Sequence, residues 1–330
     1  MTDGRTILIT GGTGSFGTAA VRQFLADGVA EVRVLSRGAV QQQELQRRFD
    51  DPRVRCYIGD VCDYDSIAAA VRGADHVVHA AAMKLVPQCE LLPEQAVAVN
   101  VQGSGNVLAA CAQHAVQSVV CISTDKAVHP AGVMGMSKAL MEKVAAAHAR
   151  RSPHGPVISV VRYGNLMFSQ GTVIPLFLEQ LHAGRPLTVT DPTMTRFLMS
   201  LSESVDLAQH ALTHAETGDL FVRKAPAATI GDLARAVAAV MGKKPDIRVI
   251  GARQGEKRHE VMLSEEELAR AVDQGPYYRV PFESASTTPS TQGFTSANTA
   301  RLGIEEVASL VGALPELEEA VAGTDSPSIG

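Results

Sequence analysis

The chain has 330 residues, 45% of them apolar and 20% charged, with a net charge of −5. That length suits one large α/β domain with an added lobe, the balance is that of an ordinary globular protein, and the acidic excess argues against a nucleic-acid partner. No apolar run reaches the roughly 18 residues of a membrane span, and no signal peptide precedes the first strand pattern, so a cytoplasmic protein without a membrane partner is expected.

In chain order, apolar runs rich in β-branched residues at Thr6–Thr10, Glu31–Ser36, Val54–Ile58, Asp75–His79, Ser118–Ile122 and Val157–Val161 predict buried parallel strands. Helical periodicity between them predicts helices at Thr18–Ala26, Gln41–Phe49, Ser66–Val71, Glu94–His114 and Ser137–Arg150. Strict β–α alternation with helix-length crossovers implies an α/β fold with a doubly wound parallel sheet of Rossmann type. The last third is less regular, with helices expected at Leu176–His182, Glu203–Thr213, Ile230–Met241 and Glu265–Val272. The expected organisation is a dinucleotide-binding domain over 1–165 with core strands continuing slightly beyond, a smaller, mainly substrate-binding lobe over 166–323, and a disordered tail over 324–330. Phe282–Thr291, rich in Ser, Thr and Pro, is expected to be a mobile loop.

Five scattered cysteines form no Cys-x-x-Cys pair, so disulfides and a zinc site are not expected. His210 and His214 share a helix face at i, i+4, but no further ligand accompanies them, and no metal is expected there.

The first strand runs into Gly11-Gly12-Thr13-Gly14-Ser15-Phe16-Gly17 and then a helix. Glycines at 11, 14 and 17 permit a tight turn, close approach to a pyrophosphate, and close helix–strand packing, while the helix N-terminus supplies amides and positive dipole. The second strand ends Ser36-Arg37 with no acid for a ribose diol. A hydroxyl and a guanidinium suit a 2′-phosphate, which favours NADP over NAD. Asp60-Val61 after the third strand is placed to bracket the adenine, and Ala80-Ala81-Ala82 after the fourth forms a close-approach wall.

The fifth strand runs into Ser123-Thr124-Asp125-Lys126, at the sheet edge where doubly wound folds place their chemistry. A carboxylic acid beside an amine there is suited to general acid–base work. Met134-Gly135-Met136-Ser137-Lys138 then opens a helix. Its spacing is similar to the Tyr-x-x-x-Lys of short-chain dehydrogenases, with methionine in the tyrosine slot.

These segments keep their order alongside Ala80–Pro87, Asn100–Gly103, Arg162–Asn165, Thr190–Phe197, Lys224–Ala227 and Gly255–Lys257. As a set they resemble the inverting UDP-N-acetylglucosamine 4,6-dehydratases of bacterial polysaccharide biosynthesis, in the capsule-type branch with Met-x-x-x-Lys, over about residues 5 to 315. The resemblance implies an extended short-chain dehydrogenase fold, NADP recycled within each turnover, and a hydro-lyase acting on a UDP-sugar as a homo-oligomer. It implies that Lys126 removes the carbon-5 proton, that Asp125 helps the carbon-6 hydroxyl leave, and that Lys138 orients the cofactor ribose, with Asn100 near the cofactor. It makes Lys84, Asn165, Val173, Arg196 and Glu256 candidates for substrate contact, with Arg196 at the diphosphate and Val173-Ile174-Pro175 against the uridine. Two positions depart from the pattern: Gly38-Ala39 replaces the usual acidic pair after Ser-Arg, and His129 replaces a frequent aromatic before Pro130. The rival readings are another epimerase or dehydratase of the same superfamily and a non-catalytic NADP-binding sensor. The missing tyrosine argues against the first where it is an epimerase, and the intact Asp125, Lys126 and Lys138 against the second.

Overall fold

The computed structural model describes residues 4–169, 171–253, 255–282 and 291–318. Most of the expected loop at Phe282–Thr291 and all of the expected tail at 324–330 lie outside them. The chain divides into two compact units: Met1–Tyr163, Ser202–Lys224 and Val261–Phe294 form one, and Gly164–Leu201, Ala225–Glu260 and Thr295–Gly330 the other.

The first unit is built on a nine-stranded sheet. Its strands in chain order begin β1 (Thr6–Thr10), β2 (Glu31–Ser36), β3 (Val54–Ile58), β4 (His76–His79), β5 (Ser118–Thr124) and β6 (Val157–Tyr163). Spatially they run β3-β2-β1-β4-β5-β6, all parallel. This is the doubly wound order, and its switch point between β1 and β4 is where such sheets bind ligands. The central strands are apolar on both faces because helices cover both, and Ile7, Leu8, Ile9, Val77, Val78, Val119 and Val120 have no solvent exposure.

Beyond β6 the sheet continues with Leu220–Arg223, parallel to it, and then with Tyr277–Val280 and Val272–Gln274, both antiparallel to their neighbours. These segments correct two expectations. The helix expected at Glu265–Val272 stops at Ala269, and Val272 starts a strand instead, because Gly275 at φ +71° turns the chain back into a hairpin with Tyr277–Val280. The sheet-bearing unit also runs further past residue 165 than expected, since residues 202–224 and 261–294 return to it.

A third correction concerns the helix expected at Glu94–His114. Pro93–Val97 is α-helical, Ala98–Gly103 is a π-helical turn, and the α-helix resumes over Ser104–Gln113. The wider turn has two visible causes. The Ser104 hydroxyl donates to the Asn100 carbonyl at 2.7 Å, competing with the helix ladder, and a side chain at Gly103 would meet Val61 Cγ2 at 2.7 Å.

The second unit holds the three-stranded set Ala227–Thr229, Thr195–Met199 and Asn165–Leu166. Its core includes Phe177, Leu187, Val237 and Val307. No helix among the described residues is long and apolar enough to cross a membrane.

Candidate functional site

The glycine loop leaves β1 through Gly11, at φ +70°. Any side chain there would be strained, and its Cβ would lie 2.8 Å from the Cα and N of Ala81. Ala80-Ala81 is therefore the wall behind the loop, held by Ala80 N donating to Thr10 O at 3.1 Å and Ala81 N donating to Thr10 Oγ1 at 3.2 Å. Around Gly14 the loop is open: an added Cβ would meet only the Gly11 carbonyl, at 3.4 Å. Gly14 is also the N-cap of helix Ser15–Ala26, which has neither a side-chain cap nor an acid in its first turn. Amides and dipole at this terminus fit an anion such as a pyrophosphate. Thr13 and Ser15 flank the opening, while Phe16 turns inward, 7% exposed, and Gly17 packs on the Gly12 backbone.

At the end of β2, Ser36 is fixed by buried Gln42, whose Nε2 donates to Ser36 O at 2.9 Å, Ser36 Oγ at 3.0 Å and Tyr57 O at 2.7 Å. Arg37 extends into solvent with its side chain 71% exposed and reaches Asp60 only at 3.9 Å. Such a contact is weak and leaves the guanidinium available to a phosphate. Asp60 also accepts the Cys62 amide at 2.9 Å, and Val61 is buried against the π-helical turn.

Asn100 stands on the π-helical turn. Its residue is fully buried, its Oδ1 accepts Met83 N at 2.7 Å, and its Nδ2 donates to Met83 O at 3.0 Å and Ser137 Oγ at 2.9 Å. With both amide hydrogens and one Oδ1 lone pair engaged by protein groups, Asn100 braces the loop ahead of Lys84 against the helix Val133–Arg151. Lys84 is exposed by area, yet the protein packed around its ammonium lowers its pKa below the ordinary lysine value.

Asp125 and Lys126 form a tight turn at the C-terminal end of β5. Asp125 has no solvent exposure, and its Oδ1 receives Lys126 Nζ at 3.0 Å and Thr124 Oγ1 at 3.0 Å. The Lys126 side chain is 27% exposed, so it is the member of the pair that a solute reaches. Gly135 brings helix Val133–Arg151 against this turn: an added Cβ would collide with the Lys126 carbonyl and lie 3.2 Å from Pro130 Cβ. On that helix Met134 is buried in an apolar cluster with Cys89 and Ala96, packed by Met83, Val86 and Val133. One turn on, Lys138 is 6% exposed, and burial lowers its pKa to about 8 against the opposing pull of Cys121 and Glu142.

Sequence reasoning missed what stands behind this edge. Glu142 accepts Arg162 Nε at 2.8 Å and Nη2 at 2.6 Å, and Glu267 accepts Nη1 at 2.7 Å and Nη2 at 2.8 Å. This forked network locks helix Val133–Arg151 to β6 and to the helix Glu265–Ala269. Tyr163 was named only as part of a motif; it stacks on Phe16 with ring centroids 6.1 Å apart, and burial raises its phenol pKa. The available signal was a charged or polar residue inside an otherwise apolar strand.

In the second unit Asn165, Val173, Ile174, Arg196 and Ile230 line a narrow crevice. The Asn165 Oδ1 is buried there and accepts no hydrogen bond among the described residues. A buried acceptor at a crevice is placed to receive a hydrogen bond from a bound molecule. Arg196 is 8% exposed, and its Nη1 donates to the Thr195 carbonyl at 2.8 Å while Nε faces buried Glu260 at 3.7 Å. Glu256, by contrast, closes its own turn by accepting Arg253 N at 3.1 Å, and it is Glu260 that pairs with both Arg196 and Lys257, the latter at 3.5 Å. His210 and His214 stack at 4.3 Å in the first unit, and no group of three metal-binding side chains occurs among the described residues.

Residues 7–281 match the family model described as polysaccharide biosynthesis protein. The chain is 47% identical over 332 residues to a protein named UDP-glucose 4-epimerase from Rickettsia massiliae, covering 96% of this chain and 97% of the relative. Among solved structures it is similar to Pen from Bacillus thuringiensis, with 32% identity, a TM-score of 0.87, and 94% and 98% of the two chains covered. It also resembles a double mutant of DesIV, a dTDP-glucose 4,6-dehydratase from Streptomyces venezuelae solved with NAD and DAU, with 26% identity, a TM-score of 0.69, and 76% and 86% covered.

Proposed function

Because the chain belongs to the polysaccharide biosynthesis protein family, within the nucleotide-sugar epimerases and dehydratases of the extended short-chain dehydrogenase superfamily, we propose that it is an NADP-dependent 4,6-dehydratase of a UDP-sugar, with UDP-N-acetylglucosamine as substrate and inversion at carbon 5. The observation that carries this reading is the buried Asp125 paired at 3.0 Å with the more exposed Lys126, beside a tyrosine slot filled by buried Met134. An acid and a base are present at the sheet edge, whereas the phenol on which simple 4-epimerisation depends is not.

The residues of the first unit suit NADP: the uncapped helix after Gly14 for the pyrophosphate, Ser36 and Arg37 for the 2′-phosphate, Asp60 and Val61 at the adenine, and Lys138 at the nicotinamide ribose. When bound, the nicotinamide supplies the acceptor and then the donor of one hydride, so no net oxidation results. With the proton of the pair on Asp125, the neutral Lys126 amine takes the carbon-5 proton, made acidic by a ketone at carbon 4 whose hydroxyl proton has passed to water. Asp125, held by Thr124 and Lys126, gives its own proton to the carbon-6 hydroxyl, which leaves as water. The Met134 thioether excludes water without carrying a proton. In the second unit, Asn165 and Arg196 serve the sugar and diphosphate, and Val173 packs on the uridine.

A second reading, a UDP-sugar 4-epimerase, is favoured by the name of the Rickettsia massiliae relative. Incubation with UDP-N-acetylglucosamine in heavy water separates the two. The dehydratase yields a product lighter by one water, with one deuterium at carbon 5 and no accumulating NADPH. The epimerase yields an isomer of unchanged mass. A dehydrated product without label at carbon 5 would refute the elimination step.

A further inference from the structure

β4 ends in His79, 1% exposed, which none of the chemistry above uses. Its Nδ1 lies 2.7 Å from Thr10 Oγ1 and its Nε2 lies 2.8 Å from Ser104 Oγ. The single hydroxyl proton of Ser104 is donated to the Asn100 carbonyl at 2.7 Å. Ser104 therefore accepts from His79, which puts a proton on Nε2. Burial, with Lys138 adding to it, pushes the pKa of the ring down to about 3, so the ring is neutral and Nδ1 accepts from Thr10. Thr10 Oγ1 in turn accepts the Ala81 amide at 3.2 Å. One directed chain results, from Ala81 through Thr10, His79 and Ser104 to Asn100. The opposite tautomer would break it, because Ser104 would then donate to the ring and leave the Asn100 carbonyl.

The segments that this chain joins are those that form the cofactor seat. Thr10 is the residue before Gly11, and Ala81 is the backbone against which Gly11 has no room for a side chain. Asn100 grips Met83 from both sides and reaches Ser137, the neighbour of Lys138. The groups facing the ring are Lys138, from helix Val133–Arg151, and Cys121, its partner in register on β5, whose thiol is pushed up to about 12 by burial. Neither supplies an anion to stabilise an imidazolium.

We propose that His79 is a positioning residue for the cofactor seat: as a neutral, Nε2-protonated imidazole it sets the spacing between the glycine loop, the alanine wall and the π-helical turn. This rests on the cofactor half of the function proposed above and is independent of which sugar is used or which reaction follows.

The test uses the full chain labelled with ¹⁵N at histidine. The neutral Nε2–H tautomer of His79 should persist from about pH 8 down to about pH 5, where an unperturbed imidazole would be largely protonated. His79→Phe keeps the ring volume without either hydrogen bond, and His79→Gln keeps one donor and one acceptor. NADP affinity measured by calorimetry should fall about tenfold or more in His79→Phe, the worth of one or two hydrogen bonds. It should be largely restored in His79→Gln, with the wild-type protein as reference. An imidazolium or an Nδ1–H signature at His79 would overturn the proposal, as would wild-type NADP affinity in His79→Phe. Should the Phe variant fail to fold, the wild-type spectrum and the Gln affinity still decide. Turnover plays no part, so an error about substrate or reaction leaves this test intact.

Discussion

Replacing Lys126 with alanine separates the two tasks proposed for the Asp125–Lys126 pair. If Lys126 is the carbon-5 base, its loss removes a positioned acid–base group, worth about 10²–10⁴ in turnover, or roughly 3–5 kcal/mol of barrier. The structure adds a second, separable cost. Asp125 has no solvent exposure and would lose the Lys126 Nζ at 3.0 Å, keeping the Thr124 hydroxyl at 3.0 Å. Stripping a partner from a fully buried pair costs about 3–5 kcal/mol, and an exposed pair is worth about 0–1. With the Lys126 side chain 27% exposed, water screens part of the interaction and enters part of the space left behind, so about 1–3 kcal/mol of stability is the expected loss. NADP affinity should hold, because the glycine loop and Lys138 are untouched. Three measurements on one variant suffice: dehydration by mass spectrometry, NADP binding by calorimetry, and a denaturant melt. Wild-type turnover in Lys126→Ala would refute the base assignment. A loss of NADP affinity matching the loss of turnover would show that the pair shapes the cofactor seat instead.

Arg37→Ala should weaken NADP about tenfold, the low end of a charge-assisted contact, because the side chain is 71% exposed; NAD affinity should not change, and equal NADP affinity in calorimetry would exclude Arg37 from the 2′-phosphate. Met134→Ala leaves a void in a small cluster with Cys89 and Ala96, so about 2–3 kcal/mol of stability should be lost in a denaturant melt while turnover of the folded enzyme changes little; a collapse of turnover with the fold intact would give the thioether a larger role. Burial holds Lys138 near 8, below its unfolded value of 10.5. Its ammonium is thus disfavoured in the folded state at pH below about 8, and stability should rise as pH climbs from there toward about 10.5. NADP affinity should fall over the same interval as the charge is lost, and titration calorimetry of Lys138→Met should show that slope flattened.

Local pattern was enough to reveal the α/β class, the six strands that begin the sheet, the glycine loop and the Asp-Lys pair at the end of β5. Each rests on short-range rules: β-branched apolar runs for buried strands, glycines where a backbone must pass close to another, and a strand end for chemistry. Only the resemblance of the whole motif set suggests a role for Asp125-Lys126, since nothing about the dipeptide separates it from a surface pair. What tertiary structure decided lies wherever a side chain meets a partner far along the chain. Val272, the last residue of an expected helix, joins the sheet instead, because the hairpin of Val272–Gln274 with Tyr277–Val280 and the pairing of that strand with Leu220–Arg223 outweigh local preference. Asn100 reads as a polar residue near the cofactor, and only the fold shows that its side chain binds Met83 and Ser137. Glu256 and Glu260 are both acids in one segment, and only the contacts of Arg196 and Lys257 distinguish them. Sequence carries the period of an element, whereas a hydrogen-bond partner 17 or 37 positions away, as for Asn100, exists only once the chain has folded and burial has made every unpaired polar group costly.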